Sequence, residues 1–177
     1  MEQAQRNVGD RVPEVTFRLR RDGQWVEKTT TELFAGRAVV VFAVPGAFAS
    51  ACSGRHLPGY VALARNIKCM GIDEIFCIAV NDAFVMNAWA RDQGIADEVT
   101  LLPDGNGDFT RAMGMLADWS PLGFGLRSRR YAMVVRDGVI ESLFAEDRRD
   151  GGDPFAVSDA ITLLDHLDRT ALRAAGE

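Results

Sequence analysis

Cys52 is the residue of this 177-residue chain whose type and position best fit nucleophilic chemistry. It follows a β-branched run at residues 37–44 and the segment P-G-A-F-A-S-A at residues 45–51, in the predicted first turn of a helix. The free N–H groups and the dipole at a helix N-terminus stabilise a thiolate, which lowers the pKa of a cysteine below its free value of about 8.5. Ligands also gather beyond the carboxyl ends of strands in α/β sheets. Position alone leaves a second interpretation open, in which Cys52 is a small buried hydrophobic side chain.

The elements that must position Cys52 alternate between strands and helices. The patterning predicts a hairpin at residues 15–20 and 24–28, strands at 37–44, 73–80 and 99–102, a second hairpin at 131–135 and 139–145, and helices at 29–36, 51–68, 82–93, 108–114 and 158–174. Pro58 inside the second helix predicts a kink or a local shift in hydrogen bonding. In the last helix, the spacing of Ile161, Leu164, Leu167 and Leu172 predicts the apolar face. This order indicates an α/β sandwich with a mixed sheet.

Composition and charge narrow the function classes. A length of 177 residues and a hydrophobic fraction of 47% fit a single globular domain over residues 1–177. Twenty basic against 25 acidic residues argue against binding nucleic acid, which basic surfaces hold. No apolar run spans a bilayer, the first residues are polar, and three cysteines do not suggest a secreted disulfide scaffold. We therefore expect a cytoplasmic protein with no membrane partner.

Two further site types lack their sequence signals. Two histidines and the absence of C-x₂-C leave no plausible metal quartet. The glycines at residues 105–107 and 123–125 form neither of the phosphate-binding glycine motifs, so a nucleotide site is unsupported. We expect neither a metal nor a bound cofactor.

Several separated segments resemble type-5 peroxiredoxins, including the forms fused to glutaredoxin in some bacteria. They are P-G-A-F-x-x-x-C-S with H-L-P-G-Y (residues 45–60), I-A-V-N-D-A-F-V-M-N-A-W-A (78–90), L-P-D-G-N-G-D-F (102–109) and L-G-F-G-L-R-S-R-R-Y-A-M-V-V-R-D-G (122–138). The resemblance extends to about residue 167. It implies a thioredoxin-like three-layer sandwich with a mixed central sheet and an N-terminal β-hairpin. It also implies reduction of peroxides through a single cysteine that becomes a sulfenic acid.

The resemblance assigns roles by position. Cys52 corresponds to the peroxidatic cysteine, Pro45 to the proline that shields the pocket, and Arg130 to the arginine that stabilises the thiolate and the peroxide oxygens. A fixed guanidinium suits this role, because negative charge builds on the leaving oxygen as the thiolate attacks. Taken alone, the cluster of Arg127, Arg129 and Arg130 is more typical of a solvated surface.

The pocket loop departs from the family pattern at one position. The family carries a hydroxyl three residues before the cysteine, where this chain has Ala49, and the position that is usually proline holds Ser50. The loss of one transition-state donor costs on the order of 10²–10³ in rate. Ser50 replaces that donor only if the loop relaxes. We expect Ala49, Ser50 and Ala51 to line a peroxide site that is impaired or tuned rather than absent.

Four further side chains have two open interpretations each. His56 lies one helical turn after Cys52, where it either bonds to backbone near the site or is simply a structural histidine. Phe48 and Phe124 either form an apolar mouth for organic hydroperoxides or fill a dimer contact. Trp89 belongs to the core or to a dimer contact.

The remaining cysteines bear on how a sulfenic acid at Cys52 is recycled. Cys77 lies in an apolar strand and is interpreted as core packing. Cys69 lies 17 residues after Cys52, about 25 Å away along a continuous helix, whereas a disulfide needs Cα atoms within about 7 Å. An external thiol is therefore favoured over an intermolecular disulfide through Cys69. The resemblance suggests glutathione, with glutaredoxin as a partner, and a homodimer. The alternative hypothesis is a redox sensor or interaction module that keeps the fold but does not turn over.

Overall fold

The computed structural model describes residues 4–147 and 154–175, so the predicted domain of residues 1–177 extends beyond the described part of the chain. The strands are β1 (Thr16–Arg21), β2 (Gln24–Thr29), β3 (Ala38–Ala43), β4 (Glu74–Ala79), β5 (Thr100–Pro103), β6 (Leu116–Asp118), β7 (Leu126–Ser128), β8 (Tyr131–Arg136) and β9 (Val139–Ala145). The α-helices are α1 (Thr30–Phe34), α2 (Leu57–Cys69), α3 (Ala83–Asp92), α4 (Asp108–Ala112) and α5 (Ala160–Ala175).

A five-stranded mixed sheet in the order β5-β4-β3-β8-β9 forms the centre of the molecule. Strands β3, β4 and β5 run parallel, whereas β8 is antiparallel to both β3 and β9. Every residue of β3 is buried, as the continuous apolar run predicted, because both faces of the sheet are covered. Val39 and Val41 pack with the β1–β2 hairpin, α1 and α4, while Val40 and Phe42 pack with α2, α3 and α5. The three-layer α/β sandwich with its N-terminal hairpin is confirmed.

The start of the second helix explains the effect of Pro58. Residues Cys52–His56 form a π-helical turn, in which the Leu57 N–H donates to the Cys52 carbonyl five residues earlier. Pro58 then occupies the first turn of α2, where its missing N–H costs no helical hydrogen bond. The predicted local shift in hydrogen bonding is therefore confirmed, and it falls on the turn that carries Cys52.

Two elements differ from what the sequence predicted. The segment between α4 and β8 contains a short antiparallel ribbon, β6–β7, that the sequence did not reveal because each strand has only three residues. In α5 the helix is capped by Asp159, and its buried line includes Leu163 and Leu167. Ile161 and Leu172, predicted to lie on the apolar face, are 65% and 74% exposed. Among the described residues, no helix has both the length and the apolarity needed to cross a bilayer.

Candidate active site

The sheet register brings the Cys52 segment and Arg130 to the same edge. Ala43, the last residue of β3, pairs with Tyr131, the first residue of β8. The chain that leaves β3 toward Cys52 therefore starts beside the chain that enters β8 from Arg130. Since the two strands are antiparallel, Cys52 and Arg130 lie at the same end of the sheet although they are 78 residues apart in the sequence.

Arg130 contacts the sulfur of Cys52 directly. One terminal guanidinium nitrogen of Arg130 donates to Cys52 Sγ at 3.4 Å. Cys52 exposes none of its surface and Arg130 exposes 1%. Of the three clustered arginines, Arg129 instead donates to Gln5 and the Glu146 carbonyl, and Arg127 binds two other backbone carbonyls. A buried guanidinium beside a sulfur favours the thiolate over the thiol, because it supplies both charge and directed donors.

His56 is fully buried and holds Arg130 in place. Its Nδ1 lies 2.9 Å from the other terminal nitrogen of Arg130, and its Nε2 lies 3.0 Å from the Ser158 carbonyl oxygen. Since a guanidinium only donates, Nδ1 accepts, and Nε2 carries the proton that it donates to Ser158. Burial, and next the charge of Arg130, lower the pKa of His56 to about 3, despite the Ser158 carbonyl and Asp159. His56 is therefore neutral and orients Arg130, so its bond to backbone agrees with the first interpretation.

Glu146 fixes the position of the Ser158 carbonyl. Its Oε1 accepts from the backbone N–H groups of Ala156, Val157 and Ser158 and from the Ser158 hydroxyl, at 2.8–2.9 Å. Burial raises the pKa of Glu146, but the hydrogen bonds from Val157, Ser158 and Ala156 together lower it below its ordinary value. A continuous chain of contacts thus runs from the Glu146 carboxylate through Ser158 and His56 to Arg130 and Cys52.

Aromatic rings enclose this chain of contacts. The Phe155 ring lies 4.8 Å from that of His56 and 5.5 Å from the Arg130 guanidinium carbon. Phe42 stacks on Tyr60 at 4.0 Å, and the Tyr60 hydroxyl donates to the same Ser158 carbonyl. Trp89 is a core residue, and its indole N–H donates to the hydroxyl of Ser53, directly after Cys52.

A cavity of about 260 Å³ lies beside the segment that precedes Cys52. Its lining comprises Gly46, Ala47, Phe48, Ala49, Asn81, Phe124 and Arg127. Phe48 is 51% exposed and adopts a left-handed backbone with φ +63°, which costs on the order of 1 kcal/mol for a residue with a side chain. The structure therefore brings Phe48, Ala49 and Phe124 together at one opening.

The other predicted loop residues fall outside this lining. Ser50 is exposed and does not line the cavity. Pro45 is buried, and Ala51 is half-buried next to Cys52. Ala49 packs against the same core cluster as Cys52, and its carbonyl accepts from the Ser53 N–H at 2.9 Å.

The three cysteines have different environments, and none of them forms a disulfide within the described residues. Cys69 ends α2 and is exposed. Cys77 is buried in β4, and burial, followed by the nearby charge of Cys52, raises its pKa well above the ordinary value. Cys77 therefore stays a protonated thiol at neutral pH, in agreement with its interpretation as core packing. Among the described residues, no three His, Cys, Asp or Glu side chains are grouped to hold a metal ion.

Sequence reasoning missed Glu146, Ser158 as a carbonyl acceptor, and Phe155. Asp159 caps α5, whereas the Ser158 hydroxyl donates to Glu146. No local pattern marks these residues, because Ser158 reaches His56 across 102 positions of sequence and Glu146 acts only through residues 156–158.

Known proteins share both the sequence and the fold of this chain. Residues 7–164 match the model of the Redoxin family. The chain is 51% identical over 159 residues to "Hybrid peroxiredoxin hyPrx5" of Haemophilus influenzae, covering 90% of this chain and 65% of that protein. It is 49% identical over 170 residues to "Peroxiredoxin sll1621" of Synechocystis, covering 89% of each.

Solved structures of peroxiredoxins also superimpose on this chain. Reduced Prx3 from Vibrio vulnificus in complex with hydrogen peroxide superimposes with a TM-score of 0.83 at 44% identity, over 93% of this chain and 99% of that one. The 1-Cys peroxiredoxin of Plasmodium falciparum superimposes with a TM-score of 0.86 at 28% identity, over 93% and 99%. With a family match over most of its length and relatives of this similarity, the chain belongs to the Redoxin family and is a type-5 peroxiredoxin, a class of thiol-dependent peroxidase.

Proposed function

We propose that this protein reduces hydrogen peroxide and small alkyl hydroperoxides with Cys52 as the nucleophile. The observation that carries the proposal is the 3.4 Å contact between the Arg130 guanidinium and Cys52 Sγ, with both residues buried. In a water-poor setting this contact stabilises negative charge on the sulfur and on the oxygens that approach it more strongly than it would in bulk water.

The first half-reaction oxidises Cys52. Its thiolate attacks the terminal oxygen of R–O–O–H, an S–O bond forms and the O–O bond breaks. The products are the sulfenic acid Cys52–SOH and R–O⁻, which takes a proton from solvent and leaves as R–OH. Arg130 donates to the oxygens as charge moves onto the leaving one, while neutral His56 keeps the guanidinium aimed at Sγ.

The second half-reaction uses an external thiol, for which we propose glutathione, with glutaredoxin as a partner. A thiol R′–SH attacks Cys52–SOH to give Cys52–S–S–R′ and water. A second thiol then releases Cys52–SH and R′–S–S–R′. The burial of Cys77 as a high-pKa thiol and the position of Cys69 at the far end of α2 favour this external route.

Access to Cys52 requires local movement, because the residue exposes none of its surface. The π-helical turn Cys52–His56 is the element whose rearrangement moves the sulfur, since converting it to α-helical hydrogen bonding shifts the register of that turn. Entry is expected beside Ala49, where the cavity lies against the preceding segment.

We also propose a homodimer and a cytoplasmic location. Leu122 and Leu126, each 57% exposed, flank Phe124 on the loop beside the cavity and support a self-association surface there. Three free cysteines fit a compartment that keeps thiols reduced.

Rapid-mixing kinetics with one equivalent of hydrogen peroxide, followed by dimedone trapping, test the proposal. We expect a single sulfenic acid at Cys52, and steady-state peroxide consumption when glutathione and glutaredoxin are supplied. Labelling chiefly at Cys69 contradicts the assignment. One slow oxidation of Cys52 without turnover with any thiol reductant supports the alternative, a redox sensor on the same fold.

A further inference from the structure

The cavity beside Ala49 contains a cation that the proposed peroxide chemistry does not use. Arg127, half-buried in its wall, donates through Nε to the Phe124 carbonyl at 2.9 Å and through one terminal nitrogen to the Val80 carbonyl at 2.6 Å. Both acceptors are uncharged. No carboxylate pairs with Arg127 within residues 4–147 and 154–175.

The two backbone hydrogen bonds hold the Arg127 guanidinium in a fixed orientation. An ideal Cβ at Gly46 would lie 3.8 Å from one of its terminal nitrogens, so the guanidinium lies against the backbone of the segment that leads to Cys52. A pre-oriented guanidinium without an acidic partner matches the geometry of a carboxylate, which it binds with charge-assisted hydrogen bonds.

The rest of the cavity is mainly apolar. Phe48 and Phe124 present exposed rings at its opening, and Ala49 contributes a methyl group where the family carries a hydroxyl. The Asn81 side-chain oxygen is already engaged by the Ala47 N–H at 3.0 Å. The cavity has a volume of about 260 Å³ and is partly open to solvent. This space fits a short hydrocarbon arm rather than a lipid chain.

We propose that this cavity binds organic hydroperoxides whose apolar arm ends in a carboxylate, with Arg127 as the specificity-determining residue. The inference rests on the proposed peroxidase function and names the substrate class that its site prefers. The hydroperoxide group is directed toward Cys52 and Arg130, the arm lies between Phe48 and Phe124, and the carboxylate is bound by Arg127. The reaction at the O–O bond is the one given above, and the carboxylate takes no part in it.

A paired-substrate experiment tests the proposal. The second-order rate constant for Cys52 oxidation is measured with 6-hydroperoxyhexanoate and with its methyl ester, which has the same arm without the charge. We expect the wild-type protein to prefer the carboxylate by about tenfold, as one charge-assisted hydrogen bond predicts. Raising the ionic strength is expected to reduce the preference.

Variants assign the preference to one residue. We expect Arg127→Gln to bring the ratio of the two rate constants close to one and Arg127→Lys to leave an intermediate ratio. The ratio is informative even if a variant loses activity overall, because both substrates use the same Cys52. Arg91→Gln makes the same charge change on the exposed surface of α3 and is expected to keep the wild-type ratio. If the Arg127 variants do not fold, competitive inhibition of ester reduction by hexanoate in the wild-type protein takes their place.

Three outcomes overturn the proposal: equal rate constants in the wild-type protein, a preference that survives in Arg127→Gln, or no inhibition by hexanoate. A second arm compares 3-mercaptopropionate with its methyl ester in the recycling step. If carboxylate preference occurs only there, the cavity belongs to the reductant and the hydroperoxide assignment is overturned. If not even hydrogen peroxide oxidises Cys52, the peroxidase function itself fails, which is a different result.

Discussion

His56 Nδ1 accepts a hydrogen bond from Arg130 at 2.9 Å, and the other terminal nitrogen of the same guanidinium donates to Cys52 Sγ. The histidine nearest to the nucleophile is therefore not placed as its base. It instead supplies a neutral acceptor that orients the positive group, and its depressed pKa keeps it neutral under any ordinary condition. His56 is thus a positioning residue that acts on the chemistry through Arg130.

The first prediction concerns removal of that acceptor. We expect His56→Leu to lower the rate constant of Cys52 oxidation by on the order of 10², because the Arg130 guanidinium loses its orientation and keeps a buried donor unsatisfied. His56→Asn keeps an acceptor near the Nδ1 position and is expected to recover part of the rate. Stopped-flow oxidation by hydrogen peroxide measures both. Equal losses in the two variants would indicate a purely structural role.

The second prediction is a pH dependence of stability. The pKa of His56 is about 3 in the folded protein and near its ordinary 6.5 in the unfolded chain, so between these values only the unfolded chain takes up the proton. The free energy of unfolding therefore falls as the pH is lowered from 6.5, by up to about 1.4 kcal/mol per pH unit from this residue.

Comparison with a variant isolates this contribution. Denaturant unfolding of wild type and His56→Asn at pH 7, 6, 5 and 4 gives two slopes. Arg130, Asp159 and Tyr60 surround the histidine in both proteins, and carboxylates such as Glu146 add the same acid sensitivity to both. We expect the wild-type curve to fall more steeply. Parallel curves would show that His56 is protonated in the folded state.

The third prediction concerns the carboxylate at the start of the chain of contacts. We expect Glu146→Gln to reduce the free energy of unfolding by about 1.5–3 kcal/mol, since four donors converge on one charged oxygen that an amide replaces poorly. Denaturant unfolding at pH 7 measures the change. Glu27→Gln is the matched control, because Glu27 is 63% exposed in its pair with Arg18 and is expected to change stability by less than about 1 kcal/mol.

The same variant separates stability from positioning. Because Glu146 acts on Ser158, and through Ser158 on His56, we also expect Glu146→Gln to slow Cys52 oxidation at temperatures where the protein is fully folded. An unchanged rate constant would mean that the Ser158 carbonyl keeps its place without the carboxylate.

The elements of the sheet and the pairing of Cys52 with Arg130 were predictable from the sequence, although for different reasons. A continuous apolar run predicted strand β3, and Pro58 predicted the irregular turn at residues 52–56. Arg130 was identified only through family resemblance, because its neighbours Arg127 and Arg129 look the same in the sequence. The role of Glu146 was not predictable, since its four donors come from residues 156–158, which lie 10 to 12 positions further along the chain, and no local pattern marks the contact. That Arg127 pairs with no carboxylate of the described residues is likewise a tertiary property.

The fourth prediction tests the hydroxyl that the family resemblance implies at position 49. Ala49 is half-buried and lines the cavity, so Ala49→Thr places a donor at the opening through which peroxide is expected to enter. We expect the rate constant for hydrogen peroxide to rise by on the order of 10². Ala49→Val, which has the same branched shape without the hydroxyl, is the control and is expected to give no increase. If both variants raise the rate equally, the effect is one of packing, and if neither does, another donor already serves.

The fifth prediction contrasts small and bulky thiol reagents. Cys52 exposes no surface and Cys77 is a buried thiol with a raised pKa, whereas Cys69 is exposed. We therefore expect N-ethylmaleimide to modify Cys69 first in the reduced protein. Hydrogen peroxide is expected to oxidise Cys52 first, because only this small oxidant reacts at the sulfur that the Arg130 guanidinium stabilises as a thiolate. Mass spectrometry of each product, with Cys69→Ser as the control, measures the order of reaction.

In the Cys69→Ser variant the fast maleimide phase is expected to disappear while the oxidation rate of Cys52 stays unchanged. Fast maleimide modification of Cys52 would show that the sulfur spends much of its time exposed, and the movement of the turn at residues 52–56 would then precede peroxide binding rather than accompany it.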